Sequence, residues 1–213
     1  LSDEHEEWIS NSVRNGSLAS DHIRSDKLGK ARRIDDARGR YIEFAKNTVA
    51  NQDFEGMRVV LDCANGAAYQ IAPWIFEELG AEVLKFHAEP DGYNINNGCG
   101  ATSPQTIQNL VKKYRADAGI AFDGDADRVI FSDSTGNIVD GDRILAISSL
   151  DYKERGVLAD DTLVTTCMSN LGMQQSIRGH GIKTLTTKVG DRHVIESMRK
   201  GGYNLGGENC GHL

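Results

Sequence analysis

Asp123, Asp125 and Asp127 stand within five residues of one another, spaced by Gly124 and Ala126 and followed by the permanent cation Arg128. Three carboxylates so close repel one another near neutral pH unless a hard cation gathers them. Magnesium suits the task, because it takes few protein carboxylates and leaves positions open for substrate phosphate. The segment therefore reads as a metal-assisted phosphate site with Asp123, Asp125 and Asp127 as Mg2+ ligands. A solvated acidic turn is the plain alternative. It loses ground because Asp123 directly follows Gly119-Ile120-Ala121-Phe122, a buried-strand type of run, and open α/β sheets place ligands at the carboxyl ends of such strands. An EF-hand calcium loop needs Gly at its sixth position and an acid at its twelfth. Arg128 and Ser134 stand there instead. A haloacid-dehalogenase-like phosphatase also places Asp-x-Asp after a strand, but Asp127-Arg128 departs from the pair that normally follows.

The elements that must hold this loop have a regular order. Residues 57–62 predict a strand, residues 67–79 a helix stopped by Gly80, and Glu82–Phe86 a second strand. After a loop over 91–100, a helix is expected over 104–114, with Pro104 in its first turn and Ser103 as a cap. Ala118–Phe122 is the strand leading into the acidic loop, 129–132 returns beside it, and 134–137 is a tight turn. This βαβαβ order with a terminal hairpin predicts an α/β fold, with mixed, mostly parallel sheets and helices on both faces. The order then restarts: helix 143–153, strand 162–168, helix 171–179, strand 183–187, a helix over 191–200 with Asp191 as a natural N-cap, and a strand from Tyr203. This second unit stops on a loop and is expected to be truncated. Residues 1 to about 37 are polar, and read as one helix and an extended linker.

The chain's 213 residues suffice to bury a core, and 39% hydrophobic with 26% charged residues is ordinary for a globular protein. A net charge of −7 and a pI near 5.4 argue against a nucleic-acid surface. No apolar run approaches membrane-spanning length and no signal-peptide pattern occurs. Cys63, Cys99, Cys167 and Cys210 are scattered without a CxxC pair. That argues against structural zinc and suggests reduced thiols in a cytoplasm.

Asp123-Gly124-Asp125-Ala126-Asp127-Arg128 resembles the metal loop of the α-D-phosphohexomutases, usually written DGDGDR. Val60-Leu61-Asp62-Cys63-Ala64-Asn65-Gly66-Ala67, Lys188-Val189-Gly190-Asp191-Arg192 and Gly207-Glu208-Asn209-Cys210-Gly211-His212 follow that family's order. Residues 28–33 and 39–44 look most like its bacterial phosphoglucosamine mutase branch. The resemblance implies four domains, of which the chain holds the tail of the first with a linker (1–37), the second with the metal loop (38–140), and the front of the third with the sugar-binding loop (141–213). It implies a phosphoserine in the first domain and a phosphate clamp in the fourth; no Thr-Ala-Ser-His-Asn-Pro-like segment occurs in these 213 residues.

What the resemblance implies for activity is an isomerase of amino-sugar and cell-wall precursor metabolism. It would interconvert glucosamine 6-phosphate and glucosamine 1-phosphate through a phosphoserine and a bisphosphate, this piece alone being inactive. Phosphomannomutase or phosphoglucomutase activity, or a catalytically silent metal- or sugar-phosphate-binding fragment, are the alternatives. By resemblance, Arg128, His212 and Lys188 belong to catalysis, while Glu208, Asn209, Cys210 and Arg192 contact substrate. His212 suits a general acid or base near neutral pH, and Glu208 can accept from sugar hydroxyls. Ordinary solvated cations are the competing reading of Lys188 and Arg192. The partners implied are a hexose or hexosamine phosphate, the enzyme's remaining domains and a homodimer mate, with no nucleic acid and no membrane. Two departures stand out: Ala126 replaces the usual Gly where the loop calls for positive φ, and Cys210 stands where Ser is common.

Overall fold

The structure, a computed structural model, describes residues 1–17, 24–49 and 53–213. Leu1–Ala37 and Arg38–Leu213 form two separate compact units. In the first, α1 (Asp3–Asn15) begins at Ser2, whose side chain accepts from His5 N, and ends at Gly16 with φ of 61°. Asp3, Glu4 and Glu6 lie in its first turn, the favourable end of the helix dipole for carboxylates. Part of the expected linker, residues 18–23, lies outside the described residues; the remainder has one short 3-10 turn at Ser25–Lys27 and otherwise no regular structure up to residue 34.

The second unit opens with α2 (Ala37–Lys46), a helix not expected from the sequence. Then come β1 (Arg58–Asp62), α3 (Ile71–Glu78), β2 (Glu82–Phe86), α4 (Pro104–Tyr114), β3 (Ala118–Phe122), β4 (Val129–Asp133) and β5 (Ile138–Val139). The sheet order is β2-β1-β3-β4-β5. β1 pairs in parallel with β2 and β3, and β4 returns antiparallel to β3 and β5. The middle of β1, Val59-Val60-Leu61, is apolar because both faces of the strand are covered. Val59 and Leu61 pack with Ala68, Ala72 and Ile120 on the α3 side. Val60 packs with Ile107 and Val111 of α4 on the other. Val60 and Leu61 are 0% exposed, and each such side chain stabilises the fold by about 1.5–3 kcal/mol.

The second sheet belongs to the restarted pattern: α5 (Gly141–Glu154), β6 (Thr162–Thr166), α6 (Leu171–Gly179), β7 (Lys183–Thr187), α7 (Asp191–Gly201) and β8 (Gly206–Gly207). Its order is β7-β6-β8, all parallel. Leu163 packs against Leu145, Met173 and Ile177 from α5 and α6. The buried Val164 points to the other face, and α7 packs on this sheet through Val194. The mixed, mostly parallel α/β architecture is as the sequence predicts.

Several local expectations are corrected. The 67–79 helix divides into a 3-10 turn at Ala67–Tyr69 and α3. Ser103 precedes α4 without a side-chain cap bond; its backbone oxygen accepts from Thr106 N instead. Asp191 is the first helical residue of α7, and Gly190 occupies the cap position. Among the described residues no helix is long and apolar enough to cross a membrane. None of the four cysteines is in a disulfide; Cys63 and Cys99 are buried, Cys167 and Cys210 exposed.

Candidate active site

Parallel pairing brings the carboxyl ends of β1, β2 and β3 to one edge of the first sheet: Asp62 lies opposite Phe86 and Ala121. Asp123 steps off β3 at that edge and is 0% exposed. A buried carboxylate needs partners. Arg128 supplies them, donating Nε to Asp123 Oδ2 at 2.6 Å and its backbone N–H to Oδ1 at 3.2 Å. The loop closes through Asp123 N to Arg128 O (3.3 Å) and Ala126 N to Asp123 O (3.1 Å). Ala126 has φ of 63°, so the left-handed conformation expected of this loop is present with a methyl group in it. Gly66 lies so close beneath that a Cβ there would sit 2.2 Å from Gly124 O, and Ala67 N donates to that same oxygen at 2.8 Å. Asp125 and Asp127 remain exposed, and the three carboxylates offer oxygens within 4.8 Å of one another.

The Glu208–His212 loop meets the acidic loop directly. Val129 N donates to Gly211 O at 3.1 Å, and Gly211 has φ of 102°, with Val129 O 2.2 Å from where a Cβ would stand. His212 lies between two carboxylates: Nε2 is 2.9 Å from Asp127 Oδ2, 85 residues away, and Nδ1 is 3.0 Å from Glu208 Oε2. Only the doubly protonated ring donates to both. Burial opposes that charge, but the hydrogen bonds to Glu208 and Asp127 outweigh it and hold His212 above its ordinary pKa. The His212 hydrogen bond correspondingly holds the Asp127 carboxyl below the usual range. Glu208 is 4% exposed and accepts from Gly190 N through Oε1 at 2.9 Å, so the Lys188–Arg192 segment touches the Glu208–His212 loop through its backbone.

Arg128 is anchored to Asp123, and among the described residues its terminal nitrogens make no hydrogen bond. Lys188 is exposed in the loop after β7, and Arg192 Nε donates to Glu196 on its own helix at 3.4 Å. Asn209 and Cys210 are exposed; Asn209 O accepts from Gly141 N at 3.2 Å, and Cys210 Sγ is 3.7 Å from His212 Nδ1. A cleft of about 230 Å³ beside Asp127 and His212 is walled by Asp191, Val194, Ile195 and Met198. What the sequence reading missed is the Asp127–His212–Glu208–Gly190 chain of contacts, for which no local signal exists.

Comparison with known proteins bears on both halves. The family model for phosphoglucomutase/phosphomannomutase α/β/α domain II matches residues 39–136, and that for domain III residues 140–213. A phosphoglucosamine mutase of Pelobacter propionicus is 54% identical over 214 aligned residues, which take in 100% of this chain and 47% of the relative. One from Geotalea daltonii is 50% identical over the same shares. The chain thus spans about half the length of the curated relatives it matches. A crystal structure of a phosphoglucomutase/phosphomannomutase family protein from Burkholderia thailandensis superposes with a TM-score of 0.71 at 26% identity, covering 82% of this chain and 38% of that one. A putative phosphomannomutase from Thermus thermophilus shares the fold, with a TM-score of 0.71 at 21% identity over 92% of this chain and 47% of that one. With both domain models matched in order and the relatives aligned along the whole of this chain, the chain belongs to the α-D-phosphohexomutase family.

Proposed function

We propose that the chain is part of a phosphoglucosamine mutase. In it, residues 38–140 form the metal-loop domain and 141–213 the front of the sugar-binding domain, with 1–37 the end of the domain before them. The observation that carries this reading is the His212 bridge, which sets a proton-carrying ring between the acidic loop and the buried Glu208. The complete enzyme moves a phosphoryl group between O6 and O1 of glucosamine phosphate, by way of a phosphoserine and a bisphosphate, in the cytoplasm. The same architecture serves glucose or mannose phosphates, so substrate choice is the sharper question; the names of the Pelobacter and Geotalea relatives support the amino sugar.

Magnesium fits the acidic loop. Octahedral Mg2+ holds its oxygens about 2.1 Å away, hence within about 4 Å of one another. The oxygens of Asp123, Asp125 and Asp127 lie within 4.8 Å, so a small adjustment gathers them. Bound there, the ion would neutralise phosphoryl oxygens as charge redistributes. The chain's own groups do the rest. Arg128 fixes Asp123 and keeps its terminal nitrogens for a phosphate oxygen. His212 holds a proton at Nε2 that it can pass to a departing sugar oxygen and take back. Glu208, tied by Gly190 N and His212, keeps lone pairs for a sugar hydroxyl, with Asn209 and Cys210 beside it and Lys188 and Arg192 flanking.

A coupled assay of the complete enzyme with Mg2+ tests this. Glucosamine 6-phosphate is expected to turn over faster than mannose or glucose 6-phosphate, and faster turnover of mannose phosphate would refute the assignment. The 213-residue chain alone should bind Mg2+ and show no turnover.

A further inference from the structure

On the edge that carries Asp123, a different set of side chains converges. His87 directly follows Phe86, the β2 residue paired with Asp62. Cys99 precedes Gly100, whose N–H donates to Asp62 Oδ2 at 2.8 Å. Asp62, His87 and Cys99 thereby place a carboxylate oxygen, an imidazole nitrogen and a thiol sulfur within 4.8 Å of one another. Asp62 and Cys99 are 0% exposed, whereas the His87 side chain is 33% exposed, so the group is enclosed with the imidazole at its mouth.

His87 Nδ1 itself is buried and lies 3.0 Å from Asp62 Oδ1, yet it has no hydrogen-bond partner among the described residues. The distance is short enough for a hydrogen bond, so it is the orientation that fails, with the N–H direction off the line to the oxygen. A buried nitrogen left this way against a buried carboxylate is costly unless a cation satisfies both. Asp62 has room for one. Oδ1 accepts from Ala64 N at 3.0 Å and Oδ2 from Gly100 N, which leaves a lone pair on each oxygen. Thiolate, imidazole and carboxylate together form a zinc donor set, whereas magnesium and calcium take all-oxygen sets.

We propose that Asp62, His87 and Cys99 bind a zinc-class divalent cation. Burial and the Asp62 charge push the Cys99 thiol up, so binding displaces its proton to solvent. The ion ties the turn after β1, the end of β2 and the loop before α4. That loop in turn holds the acidic loop from behind: Ala101 N donates to Phe122 O, the carbonyl preceding Asp123, at 2.8 Å. The scattered cysteines gave no sign of this, since adjacent strand ends rather than sequence spacing assemble the ligands.

Cobalt is the probe, because Co2+ bound to thiolate gives a near-ultraviolet charge-transfer band that Mg2+-type oxygen sites lack. The 213-residue chain should carry Cys210→Ser, which removes the thiol of the separate Glu208, Cys210 and His212 group. In that background, one equivalent of Co2+ is expected to give the band and Zn2+ to quench it. Adding Cys99→Ala should abolish the band, and His87→Gln at the rim should weaken Co2+ binding at least about tenfold. No thiolate band, or a band of unchanged affinity in His87→Gln, overturns the proposal, and His87→Gln decides alone if Cys99→Ala does not fold. Failure here leaves the Mg2+ and turnover tests of the mutase reading untouched.

Discussion

The acidic loop and the Glu208–His212 loop solve the same problem with different cations. Each buries one carboxylate as an anchor, Asp123 at 0% and Glu208 at 4% exposed, and holds it with a cationic neighbour in its own loop. Asp123 is paired with Arg128, whose charge is permanent, and Glu208 with His212, whose charge titrates. The charge that pins the first carboxylate is therefore constant, and the charge that pins the second varies with pH. Each also contains a left-handed residue, Gly211 in one and Ala126 in the other.

The largest effect is expected from Gly211→Ala. Its φ of 102° and the Val129 carbonyl 2.2 Å from the added Cβ force the two loops apart. Urea unfolding should show a loss of about 3 kcal/mol. Asp123→Ala strips Arg128 of its partner, and a loss of about 2 kcal/mol is expected, together with loss of Mg2+ binding by titration calorimetry. An unchanged unfolding midpoint would break the parallel between the anchors.

Proton dependence separates the loops next. The folded pKa of His212 is raised, so its stabilising ties are fully present below about pH 6.5 and fade as pH rises through the folded value. His212→Gln should flatten this fall in the unfolding midpoint and cost about 1 kcal/mol at the acid end. Arg128, whose guanidinium is held even further above its ordinary value by the Asp123 hydrogen bond, keeps its charge and should contribute no such slope between pH 6 and 8. The smallest effect is Ala126→Gly, which relieves the left-handed alanine and should stabilise the chain by about 0.5 kcal/mol after the entropy cost of glycine.

The thiols sharpen the contrast between enclosed and open ground. Burial pushes the Cys63 thiol up to about 12 and raises Cys99 as well, while Cys167 and Cys210 are exposed. Alkylation near neutral pH should therefore modify Cys167 and Cys210 quickly and leave Cys63 and Cys99 unmodified until unfolding.

Much of the architecture was legible. The expected ends of β2, α4, β3, α6 and β7 coincide with those observed, because apolar runs and punctuating residues such as Pro104 and Gly80 are local signals. α2 was not legible. Only Ile42 on it is buried, so it has no apolar stripe to read. Arg38 stacked 5.2 Å from the Trp74 ring and Lys46 bonded to Glu78 at 2.6 Å hold it in place.

The same division runs through the chemistry. Asp123, Asp125, Asp127 and Arg128 could be read as one site from the sequence because contiguous residues at a strand end cannot disperse. The ring of His212 on Asp127, the N–H of Gly190 on Glu208, and the meeting of Asp62, His87 and Cys99 were decided only by tertiary structure. Parallel strand register and close backbone approaches bring together residues that the chain keeps far apart, and neither leaves a trace in local spacing.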